Sequence, residues 1–212
     1  MSTPPSSRSI KISDDERGGW SSDRPRPGGG PVRPINISGR CNVLRPSDRI
    51  RYSPGSLLLI ACASHPERDR FADRLIEDRA SLLSVGKVRG LLAGRVAAEE
   101  IEPRAEQLLH AAARQRLDAG ETVVVLLETL APQEREPFLR AAYAQRRPRH
   151  LMLLETAKDQ VDEGDRAPLN ELRRALDAGE LGAEGIQTGL RLGGNTAAEL
   201  KRILFRPAPR EE

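Results

Sequence analysis

The chain has 212 residues, 34 basic and 31 acidic side chains, a formal net charge of +3 and 3% aromatic residues. That length holds one ordinary domain plus a tail. The charge gives no argument for nucleic acid by itself, and so few aromatics argue against a stacking platform for single strands. Cys41 and Cys62 are the only cysteines; two lone thiols exclude a disulfide framework. His65, His110 and His150 supply no closely spaced ligand pair, so no metal site is expected. The longest apolar run, "LLLIACA", is too short to cross a bilayer, and the N-terminus lacks an apolar signal core. The expectation is a soluble cytoplasmic protein with no membrane partner.

Residues 1–30 are rich in Ser, Pro, Gly and mixed charge and end in "RPRPGGG". Such a segment cannot bury enough apolar surface to offset its ordering entropy, so it reads as a disordered tail carrying the single tryptophan, Trp20. Residues 31–54 read as an extended basic arm holding one or two short strands. Arginines 33, 40, 45, 49 and 51 face one acid there, Asp48. The basic residues overall are arginine, with only Lys11, Lys87, Lys158 and Lys201 as lysines. Residues 55–207 form the predicted domain, followed by a short tail at 208–212.

Within the domain, "SLLLIACA" is a continuous apolar run after Pro54-Gly55, which suits a central parallel strand buried on both faces. "PERDRFADRLIEDRA" reads as a helix with Pro66 in its first turn and Phe71, Leu75 and Ile76 on one face. A short strand "SLLSV" leads into "GKVRGLLAG", and a long helix ends at Gly120. "TVVVLLETL" is a second buried strand, "APQEREPFLRAAYAQRRP" a helix, and "RHLMLLET" a third strand. The polar stretch after it reads as a helix broken at Gly164 and Pro168. The chain closes with a strand, a turn, a short helix and a strand. Alternation of this kind predicts an α/β fold, a three-layer parallel sheet with flanking helices.

Ligands of such sheets collect at the carboxyl ends of the strands, so those ends carry the candidate chemistry. The first is "ACASHPERDR", where a phosphate loop would need glycines to aim backbone N–H groups inward, a Lys for the terminal phosphates and a Ser/Thr for magnesium. Ser64, His65, Arg68, Asp69 and Arg70 are the candidate residues of a degenerate loop. Arg68 stands at the Lys position and could pair with phosphate. Pro66 deletes a donor and Glu67 places negative charge where an anion would sit. The second strand end carries Gly86 where an acid is expected. The third carries Leu126 and Leu127, with Glu128 as a weak candidate base or, as the simpler reading, the cap of the next helix. Glu155 ends its strand in the same way. Ser64 beside His65 does not make a nucleophile–base pair, since neighbours on a loop rarely face each other.

These quoted stretches, from Tyr52 onward, resemble the P-loop kinase-like AAA-domain proteins of the polynucleotide-kinase type. "AGETVVVLLETLAPQEREPFLRAAYAQRRPRHLMLLE" is the most specific part of the likeness. The resemblance implies a P-loop NTPase fold, and it places Arg173 and Arg174 of "DRAPLNELRRAL" on a lid helix. The departures fall at Cys62, Glu67, Arg68, Asp69, Gly86 and Leu126, where the family carries its chemistry. The expectation is therefore a pseudoenzyme that binds no cofactor and acts through a protein partner contacting residues 1–54. One alternative is a divergent ATP-dependent kinase or ATPase using ATP with magnesium, Arg68 on phosphate and Asp69 or Glu128 on the metal. Another is a nucleic-acid-binding relic using arginines 40, 45, 49, 51, 68 and 70.

Overall fold

A computed structural model describes residues 35–47 and 49–206. The predicted tail with Trp20, residues Arg33 and Asp48, and the segment 208–212 lie outside the described residues. Eight strands are described: β1 (Asn42–Leu44), β2 (Arg49–Tyr52), β3 (Leu57–Cys62), β4 (Leu82–Ser84), β5 (Val123–Leu126), β6 (Arg149–Leu154), β7 (Thr188–Leu192) and β8 (Arg202–Phe205). The α-helices are α1 (His65–Leu75), α2 (Val85–Leu92), α3 (Ala98–Asp118), α4 (Pro132–Ala144), α5 (Glu163–Asp177) and α6 (Asn195–Glu199).

Six strands form one parallel sheet in the order β1-β7-β6-β3-β5-β4. The first apolar run of the domain, β3, is central and flanked by β5 and β6. All six of its residues are buried, because helices cover both faces. The pleat sorts them. Leu57, Leu59 and Ala61 join the layer with α3, α4 and α5, while Leu58, Ile60 and Cys62 face α1. Along α3, Ala105, Leu109, Ala113 and Leu117 recur every four residues and are buried, so one stripe of an otherwise polar helix meets the sheet. The α/β three-layer expectation describes this molecule.

The basic arm is part of this fold. From Asn36 the chain forms one compact unit; β1 is an edge strand of the main sheet, and β2 pairs in parallel with β8 as a separate ribbon. The ribbon turns Ile50, Tyr52 and Ile203 inward onto the α1 side of the sheet. The arm's path is fixed by Gly182, whose hypothetical Cβ would lie 2.1 Å from the Gly39 carbonyl oxygen. Its own carbonyl accepts from the Gly39 amide at 2.7 Å. Only a residue without a side chain permits that approach.

One local expectation is corrected. Helix α5 runs unbroken through Gly164 and Pro168. Both lie in its first two turns, where a missing donor costs one backbone bond, and Leu169, Leu172 and Leu176 then bury the helix against the core.

Candidate functional site

The carboxyl ends of β3, β5 and β6 lie side by side, and between β5 and β6 the chain crosses from one side of β3 to the other. This is the switch point at which open parallel sheets hold ligands. The connection from β3 to α1 is short: Cys62 ends the strand and α1 begins at His65, leaving Ala63 and Ser64 between them. Four of the predicted loop residues, His65, Arg68, Asp69 and Arg70, therefore lie on the helix. The Arg68 amide is committed to the Ser64 carbonyl at 3.0 Å. Ser64 occupies the N-cap position without a side-chain capping bond, and its amide is a hydrogen-bond donor to the Cys62 sulfur. Burial pushes the Cys62 thiol pKa up, and its sulfur lies 3.3 Å from Thr156 Oγ1.

The guanidinium of Arg68 is 3% exposed and enclosed by acceptors. It donates to the Leu127 carbonyl, lies 2.9 Å from Asp69 and sits 3.1 Å from Glu128 Oε1. Glu128 Oε2 in turn accepts from Arg89 of α2 at 3.0 Å, and Arg89 also donates from Nε to Glu102 of α3 at 2.6 Å. The hydrogen bond to Glu102 is the main reason the Arg89 pKa is raised, and it holds the Glu102 carboxyl below its usual range. A continuous chain of alternating charges thus runs Asp69–Arg68–Glu128–Arg89–Glu102. His65 joins it through its ring nitrogen, 2.7 Å from the Glu128 carbonyl oxygen.

Glu128 does not cap the following helix. The cap works in the other direction: Glu134, in the first turn of α4, accepts from the amides of Glu128 and Thr129, both at 2.7 Å. Strand β5 ends at Leu126, which frees Glu128 to swing toward the two arginines. Arg70 turns back on its own helix, donating to the Pro66 carbonyl at 3.1 Å.

Glu155, at the end of β6, accepts from Arg173 Nε with both oxygens, at 3.0 and 2.8 Å, and lies 3.3 Å from Arg191. Arg174 points elsewhere; it is 70% exposed and 3.9 Å from Glu180. The helix carrying both arginines is packed on the core, so Arg173 acts as a tie between α5 and a strand end. Glu155 also lines a cleft of about 640 Å³, together with Arg70, Phe71, Thr156 and Ala197. A second cleft of about 390 Å³ lies between α2, α3 and α4, with Arg89, Glu128 and Phe138 on its walls.

The fold therefore unites His65, Arg68, Asp69 and Glu128, and leaves Arg173 and Arg174 outside that cluster. Sequence reasoning missed Arg89, Glu102 and Glu134. Glu134 carried a signal: an acid at the third residue of a helix reaches back to the amides before it. Arg89 and Glu102 lie 39 and 26 residues from Glu128 along the chain, and no local spacing pairs them. Among the described residues, no three His, Cys, Asp or Glu side chains converge as a metal-ion set.

No protein-family model and no curated protein matches the chain. Among solved structures it is similar to a protein from Chloroflexus aurantiacus described as a "putative kinase", with a TM-score of 0.42 and 13% identity over 66% of this chain and 86% of that one. At that identity and TM-score the likeness carries no weight for activity or mechanism.

Proposed function

We propose that the chain is a kinase-like α/β protein whose phosphate site is closed by its own side chains, and that it acts by binding a protein partner through residues 1–54. The observation that carries this reading is the burial of Arg68 among Glu128, Asp69 and the Leu127 carbonyl. A guanidinium in that setting already has its anions. A triphosphate arriving there would have to displace two carboxylates, and its own charge would meet Glu67 in the first turn of α1. The two-residue connection Ala63-Ser64 also supplies few inward amides compared with a glycine-rich cradle. These residues fit magnesium with a nucleotide poorly: Asp69 is paired to Arg68, and Glu128 is shared by two guanidiniums.

Titration calorimetry of the full chain with ATP or GTP and magnesium tests the reading. The expected result is no saturable heat and an unchanged melting temperature at millimolar nucleotide, because any ligand selective for the native state raises stability. Saturable binding near one equivalent, lost in Arg68→Lys, would overturn it and favour the divergent kinase.

A further inference from the structure

The cleft of about 640 Å³ beside α1 is separate from the Arg68 cluster. It opens at the carboxyl end of β6, where open parallel sheets hold ligands, and its volume is that of a small-molecule site. Three parts of the chain build it: α1, residues 154–157 at and after the end of β6, and Gly194 with α6. Phe71, Leu154, Ala157, Ala197 and Ala198 give it an apolar lining. Four charged side chains edge it, and two of them are spent. Arg74 donates from its terminal nitrogens to the Ala197 and Leu200 carbonyls, at 2.7 and 2.8 Å. Glu155 is held by Arg173 through both oxygens and by Arg191 at 3.3 Å. Glu67 and Arg70 remain. They stand three residues apart on α1, a spacing at which opposite charges commonly pair, yet among the described residues no ion pair joins them. Arg70 instead turns its Nε back to the Pro66 carbonyl at 3.1 Å, which leaves both terminal nitrogens without an acceptor. An apolar cleft thus carries one carboxylate and one guanidinium on the same edge, each with unused hydrogen-bonding capacity.

We propose that this cleft binds a free apolar α-amino acid, its carboxylate on Arg70, its ammonium on Glu67 and its side chain against Phe71 and Leu154. The planar guanidinium fork matches a carboxylate, and an ammonium is a compact donor that a single carboxylate accepts. A purely anionic ligand would face Glu67, and a purely cationic one would face Arg70. A neutral ring would cover the apolar lining but take both charges from water without giving either a partner, which is unfavourable. A ligand with both charges at one end and an apolar group at the other satisfies all three features. The site uses neither Arg68 nor Glu128, so it does not rest on the phosphate position being closed.

The test is titration calorimetry of the full chain with L-phenylalanine and L-leucine, and with two analogues of the first: hydrocinnamate, which lacks the ammonium, and phenethylamine, which lacks the carboxylate. Saturable binding of an amino acid is expected, with each singly charged analogue at least about tenfold weaker than L-phenylalanine. Glycine, with no side chain, should not bind. Arg70→Gln should weaken L-phenylalanine at least about tenfold and leave phenethylamine unchanged. Glu67→Gln should weaken it by a similar factor and leave hydrocinnamate unchanged. Neither side chain belongs to the buried core, and the comparison of analogues needs no variant at all. Absence of saturable heat with both amino acids at millimolar concentration, equal affinity for L-phenylalanine and its analogues, or binding insensitive to both variants would overturn the assignment. So would adenosine displacing the amino acid at lower concentration than the amino acid itself needs to bind.

Discussion

Arg68 and Glu128 meet at 3.1 Å across the mouth of the central strand, one from the first turns of α1 and the other from the end of β5. The arginine is 3% exposed and the glutamate side chain 20%. Arg68 thus serves as an internal cross-link between α1 and β5, at the place where a ligand would otherwise bridge them. The pair fixes the local stability in a way that can be measured.

Glu128→Ala removes the carboxylate shared by Arg68 and Arg89 and leaves a buried guanidinium with only Asp69 and a carbonyl. The expected loss is about 1–3 kcal/mol in urea denaturation at neutral pH. Replacing both members, Arg68→Met with Glu128→Ala, should cost less than the sum of those two single changes, because the orphaned charge is gone. Strict additivity of the two single changes would show that they do not act as a pair.

His150 gives a pH dependence with a definite sign. Its ring is 7% exposed, stacked on Tyr52 with centroids 4.3 Å apart, and its Nδ1 lies 2.7 Å from the Thr188 hydroxyl. Burial, with Arg149 beside it, lowers its pKa from 6.5 to about 4. Below pH 6.5 the unfolded chain takes up a proton that the folded chain refuses, so stability is full above that value and falls as the pH drops toward 4. The loss reaches about 3 kcal/mol at the lower end. Urea midpoints between pH 7 and 4.5 should show this slope, and His150→Phe should flatten it.

Gly182→Ala tests how the arm is held. A methyl group there would collide with the Gly39 carbonyl and lie 2.9 Å from the Cys41 amide, both backbone atoms that cannot rotate away. The expected cost is about 2–4 kcal/mol. Cys41, 8% exposed and free, should then react with a thiol reagent much faster than in the parent chain. Unchanged Cys41 reactivity would mean that the arm is anchored elsewhere.

Most of the scaffold was legible in the residues. "LLLIAC", "VVVL" and the "LMLL" that ends β6 are apolar on both faces of the pleat, which water would penalise anywhere but in a covered parallel sheet. The apolar face of α1 and the length of α3 up to Gly120 were equally readable. The break expected at Pro168 was not found: its missing donor removes one backbone bond in the second turn, and the buried Leu169, Leu172 and Leu176 outweigh that loss.

The candidate site was legible only in part. Glycine was missing from the loop, and Arg68 and Asp69 stood out as substitutions for phosphate-binding types, all on a single local stretch. The fate of those charges was not readable, since it depends on Glu128, Arg89 and Glu102, which reach the same place from three further elements.

What the sequence by itself determined is the α/β layering and the position of the strand ends, because hydrophobic periodicity is a local consequence of where water is excluded. Only the tertiary structure decided that the arm supplies two strands, that Arg68 is neutralised from within, and that β2 pairs with β8. Charge pairing and strand register join residues distant along the chain, and their energies depend on separations of a few ångströms that no local pattern fixes.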